Sequence, residues 1–168
     1  PYITGYFQGT VDFGGIQASS KGDDDAFAAK LDSDGNFLWV RTAGGTGADS
    51  GFGITVDASG NAYIIGYFQG TGTFGPTTLN TQGGSDVFVW KPVVPTETWA
   101  TFAGGSLSDS GYSITVDDSG SAYLTGSFQG VVSFGSTILT SKGDFDVFVV
   151  RLDSNGNFMW AKSFGGTG

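Results

Sequence analysis

The side-chain chemistry open to this chain is carried mainly by oxygen. Sixteen acidic residues stand against seven lysines and arginines, giving a net charge of −9, and every acidic residue except Glu97 is an aspartate. The chain has no histidine and no cysteine. That rules out thiolate nucleophiles, imidazole bases, and zinc or haem ligation by those side chains. Gathered aspartates can hold a hard cation, accept hydroxyls from a sugar, or act in pairs in hydrolysis. No catalytic pair stands out.

Apart from Asp12, the aspartates fall into two sets. The first lies in short runs: Asp32-Ser-Asp-Gly-Asn36, Asp57-Ala-Ser-Gly-Asn61, Asp117-Asp-Ser-Gly-Ser121 and Asp153-Ser-Asn-Gly-Asn157. The first run resembles the opening of an EF-hand loop, but the twelfth position from Asp32 is Ala43 where a glutamate is needed. These runs read as hairpin turns in which Asp and Asn accept backbone N–H groups and Gly takes a positive φ. The second set lies in Lys21-Gly-Asp-Asp-Asp25, Gly84-Ser-Asp86 and Lys142-Gly-Asp-Phe-Asp146, with Asp49 and Asp109 in two further loops. Long loops on a rigid scaffold are where binding concentrates. Asp23, Asp24, Asp25, Asp49, Asp86, Asp109, Asp144 and Asp146 are therefore the candidate ligand-binding residues. Asp25, Asp49, Asp86, Asp109 and Asp146 are the candidate Ca²⁺ ligands, and Ca²⁺ is the only cofactor considered. The competing reading is a solvated acidic rim whose aspartates cap their own loops, and recurrence in every copy makes a structural role the simpler explanation.

Both sets are placed by an internal repeat. The stretch GYFQGT at Gly5 to Thr10 looks like a protease-tag remnant, yet it returns at Gly66 to Thr71 and, as GSFQGV, at Gly126 to Val131. The period is about 60 residues, and such self-similarity marks a repeat architecture. Phe27, Phe88 and Phe148 match across copies, as do Trp39, Trp99 and Trp160. Thirty glycines and fifteen phenylalanines in 168 residues predict an all-β chain with many tight turns. Each unit reads as four strands, exemplified by GITVD, AYIIGYFQG, DVFVWK and TWATFAGG. One or two short strands are expected in the segment between the second and third.

Four antiparallel strands in chain order make a meander, and tandem meanders of this length predict β-propeller blades. A β-trefoil is the rival, and the long connections fit it poorly. Residues 1–50 are expected to form a blade lacking its first strand, 51–110 a second blade and 111–168 a third, about 2.75 blades of an open, partial propeller. Phe27, Phe88, Phe148, Trp39, Trp99 and Trp160 are expected in the structural core between blades, although the tryptophans could instead form a sugar-stacking platform. The loops bearing the second aspartate set should emerge opposite the hairpin turns.

The runs DSGFGITVDASGNAYIIGYFQG and DVFVVRLDSNGNFMWAKSFGG resemble the bacterial β-propeller repeat family labelled SBBP, and the resemblance covers the whole chain. It implies a propeller and a secreted or surface-attached bacterial protein, and no particular activity. The second copy departs from it, with PVVPTET at Pro92 to Thr98 where the others carry LDSDGNF and LDSNGNF. Two prolines there remove ladder donors and predict an irregular outer hairpin.

A closed propeller needs roughly four to eight blades. The expectation is a fragment of a longer chain, with assembly of copies into a ring or a truncated chain as competitors. The partners would be other blades of that chain or other subunits, with glycans or surface proteins as candidate ligands. Net acidity argues against nucleic acid and anionic membranes, and no apolar run reaches the roughly 20 residues of a membrane helix. The functional expectation is a non-enzymatic structural or adhesion scaffold of a bacterial extracellular or cell-surface protein. A lectin-like glycan-binding propeller is the first alternative and predicts exposed aromatics beside the aspartate loops. A fragment of a quinoprotein- or lyase-type propeller enzyme is the second.

Overall fold

The alternating apolar pattern forms strands throughout. The structure, a computed structural model, describes residues 1–92 and 98–167. In the first unit β1 (Tyr2–Phe7), β2 (Thr10–Phe13), β3 (Ile16–Ser19), β4 (Asp25–Leu31) and β5 (Phe37–Gly45) follow one another. The second contains β6 (Ser50–Val56), β7 (Ala62–Phe74), β8 (Thr77–Lys91) and β9 (Trp99–Gly105). The third contains β10 (Ser110–Val116), β11 (Ala122–Phe134), β12 (Thr137–Leu152) and β13 (Phe158–Phe164). Among the described residues there is no helix.

Every pairing is antiparallel. The strands β6, β7, β8 and β9 form one four-stranded meander and β10 to β13 another. In the first unit β1 pairs with β4 and β4 with β5, and among the described residues β1 has no strand on its other side. The sheets do not close. The fold is an open, partial β-propeller of about two and three-quarter blades.

Two details differ from the sequence expectation. The inner strand of the second blade starts at Ser50, not Gly53, and a bulge between Gly51 and Gly53 accommodates the extra length. The segment between second and third strands does not add separate strands in the second and third blades. After a bulge between Gln69 and Thr71, β7 runs on to Phe74, turns through Gly75-Pro76 and returns as β8. The cause is alternation within TGTF, which turns Phe74 inward, with its ring centroid 4.7 Å from that of Phe88. In the first blade the same segment is a detached hairpin, β2 with β3. The extended hairpins also join blades. Gly44 and Gly45 of β5 pair with Thr73 and Gly72, and Gly104 and Gly105 of β9 pair with Ser133 and Val132.

Burial lies between the sheets, because one meander alone cannot cover both of its faces. Ala26, Ala28 and Ala43 of the first blade meet Ile64, Phe68 and Trp90 of the second. Ile65, Val87 and Val89 of the second meet Leu124, Phe148 and Val150 of the third. Phe88 and Phe148 are fully buried as expected. Phe27 is only half-buried, in the small cluster formed under the β2–β3 hairpin. Trp39, Trp99 and Trp160, expected in the core, are half-buried: Trp39 and Trp99 pack against the two inter-blade clusters from their margin, and Trp160 joins neither. The fully buried tryptophan is Trp90, at a position that holds Ala29 and Val150 in the other blades.

Of the irregular PVVPTET segment, residues 93–97 lie outside the described residues. On either side of it the ladder is regular, with Lys91 opposite Trp99, and the Thr98 hydroxyl donates to the Lys91 carbonyl at 2.8 Å.

Candidate functional site

The first aspartate set sits in the turns, and the aspartate that opens each run, Asp32, Asp57, Asp117 or Asp153, has its carboxylate engaged. Asp57 Oδ1 accepts from the backbone N–H of Ser59 and of Asn61, and Oδ2 accepts from the Asn61 amide. Asp32 and Asp153 repeat this with Asp34 and Asn36, and with Asn155 and Asn157. Asp117 Oδ1 accepts from the backbone N–H of Ser119 and of Ser121, and its Oδ2 accepts from the Tyr123 hydroxyl instead. The side-chain amide of Asn36 holds the Asp32 carboxyl below the usual range, and Asn157 does the same for Asp153. These are structural turns, as their sequence pattern suggested.

The second set has the opposite character. Asp25, Asp49, Asp86, Asp109 and Asp146 are all buried, so the solvated-rim reading does not hold for them. The connection after the second strand and the loop entering the next blade meet edge to edge. The Asp49 N–H donates to the Asp24 carbonyl and the Asp109 N–H to the Ser85 carbonyl, both at 2.7 Å. This brings the aspartates together in pairs. Gly44 marks the first pair. A Cβ built there would lie 2.7 Å from Asp49 Oδ2 and 2.8 Å from the Asp25 carboxyl carbon. Gly104 lies closer still against the Asp86 carboxylate, and Gly165 against that of Asp146.

Most of these oxygens clamp backbone. Asp49 accepts from Gly45 N–H (2.8 Å) and Gln69 N–H (3.1 Å), and Asp109 from Gly105 N–H (2.9 Å) and Gln129 N–H (3.1 Å). Each clamp thus ties one blade's outer strand to the next blade's second strand. The third-strand aspartates accept from the backbone four residues earlier: Asp25 from Lys21, Asp86 from Gln82, Asp146 from Lys142. Among the described residues Asp86 Oδ1 and Asp146 Oδ1 find no hydrogen-bond partner.

Burial dominates the electrostatics. Desolvation raises the Asp25 carboxyl against its backbone bond from Lys21. It pushes Asp49 up to about 6, with the neighbouring Asp25 adding to the rise. It pushes Asp86 up to about 6, and Asp109, beside Asp86, up to about 7. The remaining candidates lie outside the pairs. Asp23 and Asp144 are exposed and Asp24 is half-buried; the Asp144 carboxylate accepts from the Gln129 side-chain amide. Among the described residues no three acidic side chains converge into a metal cage; of the candidate Ca²⁺ residues Asp25 meets Asp49 and Asp86 meets Asp109, while Asp146 lies outside these pairs.

Two features went unread in the sequence. Phe52 and Tyr112 of the inner strands β6 and β10 and Tyr67 of β7 form a continuous aromatic strip. Phe52 lies 5.5 Å from Tyr67 and 6.1 Å from Tyr112 by ring centroid, and Phe52 and Tyr112 are 45% and 52% exposed. The signal was present: Phe52 and Tyr112 occupy the same place in SGFGITVD and SGYSITVD. They stand three residues beyond Asp49 and Asp109. At the turn end, a tyrosine, a cation and a tryptophan lie side by side on adjacent strands of each blade. Tyr2, Lys30 and Trp39 do so in the first; Tyr63, Lys91 and Trp99 in the second; Tyr123, Arg151 and Trp160 in the third. Trp99 reaches the third blade, where its indole N–H donates to the Ser154 carbonyl at 3.3 Å. An open cleft of about 210 Å³ lies beside it, lined by Asp57, Ser59, Lys91 and Ser119 among others.

Residues 38–67 and 98–127 match the SBBP family of β-propeller repeats. Each match runs from the outer strand of one blade through the inner strand to the second strand of the next, and so contains one clamp aspartate, Asp49 or Asp109. This is a family of repeats, not of enzymes. Among curated proteins none matches the chain.

Proposed function

We propose that the chain is a non-enzymatic scaffold segment of a bacterial surface or extracellular protein, whose blade faces receive further blades. One comparison carries this reading. Val87 on the second blade is 2% exposed beneath the third, while its repeat equivalent Val147 is 48% exposed. Phe164, paired directly opposite Val147, is 58% exposed. The third blade thus presents the same apolar face that its predecessors bury, and such faces mark contact surfaces. The recurrent carboxylates support the reading too, since they clamp blade to blade. Light scattering at micromolar concentration tests it. The chain is expected to associate, and Val147→Lys is expected to return it to a 17.3 kDa monomer. A wild-type chain that stays monomeric at high concentration would argue against a receiving face.

The aromatic strip favours a second reading, a glycan-binding propeller. Rings fixed on strands can stack on sugar faces, and the Tyr112 and Ser127 hydroxyls, 3.0 Å apart, offer hydrogen bonds beside them. Retardation of the chain by neutral polysaccharide in native gels, lost in Phe52→Ala and Tyr112→Ala, would support it. Equal mobility with and without polysaccharide would remove it.

A further inference from the structure

We propose that Asp86 and Asp109 of the second blade form a cation site and that its ion is Ca²⁺. The first observation is an orphaned charge acceptor. Asp86 is 0% exposed; its Oδ2 accepts from Gln82 N–H at 2.9 Å, and its Oδ1 has no partner among the described residues. A buried carboxylate oxygen left unpaired is costly, and native structures supply a partner. The second observation comes from the repeat. In the first blade Lys21 begins the equivalent loop, and its ammonium acts favourably on both Asp25 and Asp49 while donating to the Gly44 carbonyl at 3.4 Å. The third blade has Lys142 at that place, but the second has Gln82, which is neutral. The second pair therefore has the same two carboxylates without the lysine.

The chemistry selects the ion. Two carboxylates are balanced by a divalent charge, and oxygen donors suit a hard cation. Mg²⁺ demands a near-ideal octahedron and sheds its waters reluctantly, whereas Ca²⁺ accepts irregular sets of carboxylates and backbone carbonyls. At this junction the Ser85 and Leu107 carbonyls each accept one N–H, from Asp109 and Gly84, and each keeps a second lone pair.

The chain is stripped of metal with a chelator and titrated with CaCl₂ at pH 7.5, followed by calorimetry and thermal melting. One site per chain is expected, with a rise in melting midpoint of roughly 5–10 °C at a hundredfold excess over the dissociation constant. Gln82→Lys, which places the first blade's ammonium in the second, is expected to abolish the calcium response and raise the metal-free midpoint. Lys21→Gln is expected to create a second site, taking the stoichiometry from one to two. A wild-type midpoint unchanged between chelator and saturating CaCl₂ overturns the proposal, and so does an undiminished calcium response in Gln82→Lys. Should Gln82→Lys not fold, Lys21→Gln decides, and a stoichiometry that stays at one overturns the role given to the lysine.

Discussion

The two ends of each blade use the same side chain under opposite physics. At the turn end, Asp32, Asp57, Asp117 and Asp153 organise five-residue hairpins from half-buried positions. Donors surround each carboxylate, and its ionised form is favoured. At the loop end, Asp25, Asp49, Asp86 and Asp109 are buried in facing pairs, and desolvation disfavours the ionised form. The turn aspartate shapes the chain locally. The loop aspartate joins separate strands, and it is expected to respond most to a change of packing, charge or pH.

Crowding a loop-end pair should give the largest effect. Gly104 lies directly against the buried Asp86 carboxylate, which cannot swing out to water. Gly104→Ala forces a methyl group into that contact and disturbs the pairing of Gly104 with Ser133. A loss of about 3 kcal/mol is expected in urea unfolding, at the upper end of overpacking costs. A loss under about 1 kcal/mol would mean that the pair is loosely held and the clamp reading is wrong.

The pH dependence should separate the two ends. Loop-end carboxyls titrate in the fold near 6 to 7, above their unfolded value of 3.8. Between those limits the folded state holds more protons than the unfolded one. Their contribution is therefore complete below about pH 3.8 and is lost as pH rises through 6 to 7. The turn carboxyls are lowered, so their contribution is present above 3.8 and is lost as pH falls below it. In the presence of chelator, urea midpoints are expected to peak between pH 4 and 5. From there to pH 7.5 the decline should amount to about 2 kcal/mol or more, since one pKa unit corresponds to about 1.4 kcal/mol. Stability that climbs steadily to pH 7.5 would show the loop carboxylates to be compensated in the metal-free protein.

The two ends were also unequally legible in the sequence. Asp-x-x-Gly-Asn specifies its turn within five residues, so donor, acceptor and positive-φ glycine could all be assigned by inspection. The loop-end residues were identified as a set by recurrence, but their burial and pairing were not. Asp49 follows Asp25 by about two dozen residues, and only the docking of two loops brings them together. The propeller itself was legible because the repeat multiplied a weak strand pattern threefold. Trp90 was not, because it breaks the repeat: a position filled by Ala29 and Val150 elsewhere gives no periodic signal. Phe52 and Tyr112 do repeat, but alternation alone could not distinguish a ring on the open face from one on the covered face.

The smallest expected effect completes the comparison at the turn end. Gly35 has φ +85°, in the left-handed region, and a Cβ there would meet nothing within 4 Å. Gly35→Ala therefore carries conformational strain without a packing term. A left-handed non-glycine residue costs roughly 1–2 kcal/mol, partly offset because alanine reduces the freedom of the unfolded chain. The net loss expected in urea unfolding is about 1 kcal/mol, a third of that at Gly104. Gly35→Asn should recover most of it, since asparagine tolerates this region. If Gly35→Ala matched Gly104→Ala, backbone conformation would account for both glycines, and the carboxylate pairs would lose their claim to be what makes the loop end intolerant. If Gly35→Asn recovers stability while Gly104→Asn does not, the turn end is limited by φ and the loop end by space.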